Sequence, residues 1–290
     1  MTHKQLELQA EQIREDIVKM LVEAGSGHSA GPLGLADIFT ALYFEIMEHR
    51  PKDPDWAGRD RLFLSNGHCV PVRYATMARS GYFPVSELAT LRKFGSRLQG
   101  HPERLRLPGL ESTSGPLGSG ISQAAGHALA LRMDGSRSHV YVVTGDGELD
   151  EGNIWEAAMF AAKYKLSNLT AIVDRNYIQI DGSTENVMPL GDVAAKFAAF
   201  GWHVIEIDGH NFQAIIDATN LAKAIADQPV AIIAHTIPGK GVDYMEYDYH
   251  WHGNPPGTLE TPGAPPLKDQ ARIALHELRT LGGQIRSEHE

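Results

Sequence analysis

The sequence predicts an α/β fold, a doubly wound parallel sheet with helices on both faces. Three observations lead there. Short apolar runs alternate with amphipathic stretches from residue 139 to residue 235, the pattern of strands joined by crossover helices. Hydrophobic residues make up 42% of the 290, enough for a large buried core and too many for a disordered chain. The 29 glycines gather in a few short clusters, which marks tight loops where backbone must come close to something else.

Residues 5–24 read as an amphipathic helix, with Leu6, Ala10, Ile13 and Ile17 on one side and Glu7, Gln12, Arg14 and Lys19 on the other. A turn over Ser26-Gly27-His28-Ser29-Ala30-Gly31-Pro32 leads to a second helix through Leu35, Phe39, Leu42 and Ile46. Arg61 to Leu64 is a short strand that ends at Ser65-Asn66-Gly67-His68, and a helix runs from about 69 to 80. Residues 81–117 are irregular apart from a helix at 86–94. The cluster Gly115-Pro116-Leu117-Gly118-Ser119-Gly120 opens a helix of small residues, Ile121 to Met133, able to pack close to a sheet. Strands follow at 139–144, 169–173, 203–207 and 229–235, with helices at 153–165, 191–200 and 211–226. Five prolines between Pro255 and Pro266 form a stiff linker, and a last helix spans 268–281. This divides the chain into a main domain, 1–252, and a linker with a terminal helix, 253–290.

Lys and Arg number 26 against 36 Asp and Glu, a net charge of −10. Such a chain repels phosphate backbones, which argues against nucleic-acid binding. The single cysteine, Cys69, cannot form an internal disulfide and receives no role, and the chain reads as cytoplasmic. Its polar start lacks the apolar core of a signal peptide, and no run is apolar for the ~18 residues of a membrane span.

The chemistry concentrates in Gly145-Asp146-Gly147 and Asn176. The first lies at the carboxyl end of one predicted strand and the second just past the next, and parallel sheets bind ligands at that edge. Asp146 offers a carboxylate oxygen, Asn176 an amide oxygen, and Ile178 a backbone carbonyl. Mg²⁺ takes six oxygens, few of them from protein and the rest from phosphate and water. Gly147 leaves its N–H open to a phosphate oxygen, and the following helix terminus adds positive partial charge. The competing interpretation is a plain strand-to-helix turn capped by Asp146. Asn176 at this offset favours the magnesium diphosphate.

With these residues the sequence resembles the amino-terminal half of transketolase, a thiamine-diphosphate enzyme, from about residue 5 to 252. Six motifs stand in order: Ser26-Gly27-His28 with Gly31-Pro32-Leu33-Gly34, Leu64-Ser65-Asn66-Gly67-His68, Gly100-His101-Pro102-Glu103, Gly115-Pro116-Leu117-Gly118, the Gly-Asp-Gly and Asn pair, and Trp251-His252-Gly253. The resemblance implies roles. Asp146, Asn176 and the Ile178 carbonyl hold Mg²⁺. Gly147, His68 and His252 reach the diphosphate. Gly115 and Leu117 meet the aminopyrimidine and thiazolium region, and Ile180 packs on the thiazolium. His28, with His252, handles a substrate hydroxyl proton, and His101 bonds the two-carbon fragment. Several histidines suit such a reaction, because cleaving a ketose beside its carbonyl removes a hydroxyl proton that is later returned. His127, His139, His210 and His250 lack a surrounding motif and read as structural, and His250 with His252 is too small a set for zinc.

Two departures bear on the substrate. Ser29-Ala30 stands where the family usually has Pro-Gly, and Arg73 stands where an apolar residue is common. Arg73 reads either as a surface side chain or as a new anion contact. The resemblance also implies missing parts: the chain stops after the diphosphate-binding domain. It therefore predicts one subunit of a split transketolase, working with a second chain that carries the pyrimidine-binding and carboxyl-terminal domains, two copies of each. Alternatives within the cofactor class are a deoxyxylulose-phosphate synthase, a decarboxylating 2-oxoacid subunit, or a split transketolase for a branched or sulfonated ketose. A nicotinamide dehydrogenase is disfavoured, because Gly118-Ser119-Gly120 lacks the third glycine of the dinucleotide fingerprint. A non-catalytic partner is disfavoured because every expected metal and histidine position is filled.

Overall fold

The computed structural model describes residues 1–288, with side chains through residue 280. Its centre is a five-stranded sheet. The strands β1 (Arg61–Leu64), β2 (Val140–Gly145), β3 (Leu169–Arg175), β6 (His203–Asp208) and β7 (Val230–His235) lie in the order β1-β2-β3-β7-β6, and every pair is parallel. Between β3 and β6 a two-stranded hairpin, β4 (Ile178–Gln179) and β5 (Gly182–Ser183), and a short helix, α7 (Thr184–Val187), follow the end of β3.

Alternation along the strands sends side chains into two separate cores. Leu62, Leu64, Tyr141, Val143, Ile172 and Ile232 face one way. They pack under α1 (His3–Ala24), α3 (Ala36–Ala41), α4 (Val70–Ser80) and α9 (Phe212–Ala224). Phe63, Val140, Val142, Ala171, Val173 and Ile233 face the other way. They meet α5 (Ser119–Met133), α6 (Gly152–Lys163) and α8 (Val193–Ala199). The small residues of α5 bury Ala124, Ala125 and Ala128 against the sheet, as their size permits. Both faces are covered, which is why the strands read as continuous apolar runs.

Two expected elements differ. Helix begins earlier than Leu35, at α2 (Ala30–Gly34), where Pro32 sits in a first turn that does not need its N–H. After α3 the chain loosens into a π turn, Leu42–Ile46. The helix expected at 86–94 is a 3-10 segment, Val85–Thr90. Arg92 takes φ +59° and Gly95 φ +80°, so regular helix cannot continue, and Phe94 points fully into solvent.

The last helix, α10 (Leu267–Glu288), lies along α1. Ala274 and Leu278 enter the same core. Buried Gln270 pins the proline-rich segment, accepting from Gly257 N (2.7 Å) and donating to the carbonyls of Leu259 (2.7 Å) and Pro265 (3.0 Å). Among the described residues no helix is long and apolar enough to cross a membrane.

Candidate active site

The register of β2 against β3 places Gly145 opposite Asp174, so the loops behind them leave the sheet side by side. Asp146 N donates to the Asp174 carbonyl at 3.1 Å. The buried Asp146 carboxylate then ties the loops together. Oδ2 accepts from Tyr177 N (2.7 Å) and Arg175 Nη1 (3.0 Å), while Oδ1 accepts from Gly147 N (2.8 Å). Burial pushes its pKa above the ordinary 3.8, against the pull of the Tyr177 N–H and Arg175. Asn176 donates to Asp174 Oδ2 (2.8 Å) and accepts at Oδ1 from Ile178 N (3.1 Å). Two details correct the sequence-based picture. The Gly147 N–H is taken by Asp146 rather than left open, because the carboxylate caps its own turn. That turn is a 3-10 segment, Gly147–Asp150, and α6 starts only at Gly152.

These loops form one wall of a cavity of about 260 Å³. Asp146, Gly147, Asn176 and Ile178 line it together with His28, His68 and His252, and with Leu117 and Ile180. Leu117 and Ile180 remain 37% and 65% exposed, so they form an open apolar rim. The three imidazoles form a cluster with ring centroids 4.6 Å (His28–His68), 5.2 Å (His68–His252) and 5.4 Å (His28–His252) apart. Burial, then the neighbouring His252, His101 and Arg92, push His28 down to about 3. Burial alone takes His252 to about 4. Burial and the other three histidines hold His68 well below its ordinary range. All three are therefore neutral near pH 7, each ring with one donor and one acceptor nitrogen.

His101 does not line this cavity but a second depression, shared with Arg92, Gly100 and Ser114, and Gly115 stands beside it. A Cβ on Gly115 would stand 3.8 Å from the His101 ring, so the two face each other. Arg92 forms no ion pair among the described residues; burial first and then its charge lower His101, and it adds to the burial that lowers His28. Arg73 fits neither expectation. It is 1% exposed and far from solvent, donates to the Gly109 carbonyl (3.2 Å) and approaches the Tyr43 hydroxyl, outside the cavity. Of the four histidines without motifs, three have hydrogen-bond partners, His139 with Thr170, His210 with Asp37 and His250 with Asp248, and His127 lies against the Phe63 ring.

Four residues that shape the site were not singled out from sequence. Glu148 is buried and gathers three glycine loops: Oε1 accepts from Ser65 Oγ (2.5 Å) and Gly118 N (2.5 Å), Oε2 from Gly145 N (3.0 Å). Burial raises its pKa, opposed first by Ser65. Its signal was an acid directly after Gly-Asp-Gly at a position the core should own. Asn66 lines the cavity within an already noted motif. Arg175 grips Asp146, a charge at the end of an apolar strand. Ser29, noted only as a departure, is fully buried, and its hydroxyl lies 2.9 Å from the Trp251 carbonyl and 2.6 Å from that of Asn254. It fastens the first histidine loop to the segment that carries His252.

The cavity suits a polyoxygenated, charged group. Asn66 Oδ1, His28 Nδ1 and His252 Nδ1 are buried there without a hydrogen-bond partner, and buried polar atoms of that kind call for one. No group of three His, Cys, Asp or Glu side chains surrounds a metal position among the described residues. The oxygen set is one carboxylate, one amide and one carbonyl, which leaves the remaining positions of a hard cation to phosphate and water. A Cβ on Gly147 would meet Gln179 at 2.9 Å, and one on Gly67 would meet Ser114 Oγ at 2.5 Å, so close packing fixes both turns.

Comparison with known proteins agrees with this geometry. Residues 6–263 match the family described as transketolase, thiamine diphosphate binding domain. The chain is similar to the 6-deoxy-6-sulfo-D-fructose transketolase subunit of Clostridium sp. (strain MSTE9), 44% identical over 85% of this chain and 90% of that one. It is also similar to one of the subunits of the apulose-4-phosphate transketolase of Phocaeicola vulgatus, 43% identical over 87% and 89%. Among solved structures, a transketolase of Pichia stipitis in complex with sedoheptulose 7-phosphate superimposes with a TM-score of 0.84 at 34% identity, over 98% of this chain and 46% of that one. The Campylobacter jejuni transketolase gives 0.84 at 31%, over 99% and 48%. The chain thus spans about half the length of the solved enzymes and nearly all of the curated subunits it matches.

Proposed function

Because the chain belongs to the transketolase family and carries its thiamine diphosphate binding domain, we propose that it is one subunit of a two-chain transketolase that moves a ketol unit from a ketose to an aldose. The observation that carries this is the meeting of Asp146, Asn176 and Ile178 with His28, His68 and His252 around one cavity. Asp146 Oδ1, Asn176 Oδ1 and the Ile178 carbonyl would hold Mg²⁺, and His68 and His252 would bond the diphosphate. Leu117 and Ile180 form an exposed apolar rim that would receive the thiazolium, and Gly115 would meet the aminopyrimidine. Gly147 contributes close approach, its N–H being engaged. Thiamine diphosphate supplies the electron sink that lets the bond beside a ketose carbonyl break.

This chain's residues move the protons. His28 and His252 are neutral and close, so one can take a hydroxyl proton and return it to the next sugar. His101, in the second depression, bonds the two-carbon fragment. Arg92 leaves positive charge at the mouth, which suits a sugar with an anionic end. The curated relatives are named for sulfofructose and apulose phosphate, so an unusual ketose takes precedence over ordinary pentose phosphates as the donor. The cofactor-binding unit is residues 1–252, with 253–290 as its appended segment and helix. The rim is completed by a second chain carrying the pyrimidine-binding and carboxyl-terminal domains, two copies of each, in the cytoplasm.

The test is an assay of the chain alone and co-expressed with its complementary chain, over a panel of ketoses. Ketol transfer is expected from the pair only. Transfer by the isolated chain defeats the split arrangement, and release of CO₂ from pyruvate by the pair points to a decarboxylating or synthase activity instead.

A further inference from the structure

We propose that Arg175 acts as a counter-charge on Asp146, so that a divalent cation binds this site firmly only together with the diphosphate. The inference rests on the functional assignment above and concerns a residue that no motif of that assignment includes.

Arg175 closes β3 and is buried. Four contacts fix its guanidinium. Nη1 donates to Asp146 Oδ2 (3.0 Å) and Thr184 Oγ1 (2.9 Å), Nη2 donates to Glu185 (2.6 Å), and the guanidinium carbon lies 4.2 Å from the Tyr177 ring centre. Such a fork cannot swing away without losing all of them.

The lone pairs of Asp146 show what this does. Oδ2 already accepts from Tyr177 N and Arg175, so both of its positions are filled. Oδ1 accepts from Gly147 N alone and keeps one open. A cation therefore meets a single oxygen of a carboxylate whose charge is paired with an arginine. The other donors, Asn176 Oδ1 and the Ile178 carbonyl, are neutral. Affinity of an oxygen site for a hard cation follows the charge of its ligands, and guanidinium keeps its proton at any working pH.

The neighbouring acids are engaged or exposed. Glu148 Oε1 accepts from Ser65 and Gly118 and its Oε2 from Gly145, while Asp181, which also lines the cavity, is exposed and screened by solvent. Asp174 turns its oxygens to Thr236 and Asn176 and does not line the cavity. Glu185, the second partner of Arg175, is half exposed and screened by solvent. The missing negative charge comes from the diphosphate, and by reciprocity each ligand strengthens the other by the same factor.

The experiment uses Mn²⁺ as the probe, followed by the paramagnetic resonance of the free ion, on the full chain with its complementary subunit. Titrations are run with and without thiamine diphosphate. For the unaltered protein, Mn²⁺ alone binds weakly and the cofactor strengthens it about tenfold or more. Arg175→Met binds Mn²⁺ alone about tenfold more tightly and shows a smaller coupling factor. Arg175→Gln, which keeps a donor for Asp146 and guards against a variant that fails to fold, shifts in the same direction. Arg175→Lys, which keeps the charge, stays with the unaltered protein. A damaged site loses affinity, so a gain reports relief of charge competition. Variants that bind Mn²⁺ alone no more tightly, or leave the coupling unchanged, overturn the proposal while leaving the cofactor assignment standing. An unaltered protein that binds neither Mn²⁺ nor thiamine diphosphate removes both.

Discussion

At the scale of the residue, one carboxylate carries two duties. Asp146 stitches the ends of β2 and β3 together and, in the function proposed above, would give its remaining lone pair to a cation. Asp146→Ala removes both. Losing an outer partner of a metal ligand costs about 10–100-fold in affinity, so loss of the ligand itself should weaken Mg²⁺-dependent cofactor binding by roughly 100-fold or more. Calorimetric titration of the assembled enzyme checks it, and unchanged affinity removes the site assignment. That Asp146, Asn176 and Ile178 share one cavity is readable in sequence because loop residues at fixed offsets behind parallel strands must end on one edge. Arg175 is not. Its meaning depends on Asp146, 29 positions earlier, and on Thr184 and Glu185, 9 and 10 positions later, a meeting that no local pattern displays. The Gly147 N–H was misjudged for a related reason: an Asp before a Gly can satisfy that donor itself.

At the scale of the element, the strands and most helices were legible because each has a single period and a single buried side. The segment at 86–94 was not, because only Leu88 and Leu91 of it reach the core and two apolar positions fit a helix or a pair of turns equally well. The hairpin of β4 and β5 was too short to show any period. The strap from Trp251 to Asn254 depends on an element far away in sequence, for Ser29 lies under it. Ser29→Ala removes the one donor shared by the Trp251 and Asn254 carbonyls, the first of them buried, a loss of about 1–3 kcal/mol. The melting midpoint should fall by about 2–4 °C for each kcal/mol. Since the strap carries His252, activity of the assembled pair should fall with it. Scanning calorimetry with a paired activity assay decides. A variant that melts normally shows the strap is held by other contacts.

At the scale of the whole molecule, buried imidazoles set the acid limit of stability. Burial takes His28 and His139 from 6.5 to about 3 and His252 to about 4. The folded chain refuses these protons while the unfolded chain accepts them below 6.5. Unfolding therefore gains ground as pH falls from 6.5 toward about 3, and these groups contribute nothing above 6.5. Each adds a slope of at most about 1.4 kcal/mol per pH unit. Urea midpoints measured across that window should drop steadily with acid, and His139→Asn, remote from the cavity, should flatten part of the slope. Midpoints that hold constant across the window contradict the account.

The Glu148 hub has a bearing on descent. One carboxylate receives donors from the turn after β1, the last residue of β2 and the start of α5. No one of those stretches can drift by itself, since a shift in any would strand a partner in another. Lineages should pass the three stretches on as a block, with substitutions at Ser65 and Glu148, whose side chains bond each other, appearing together or not at all.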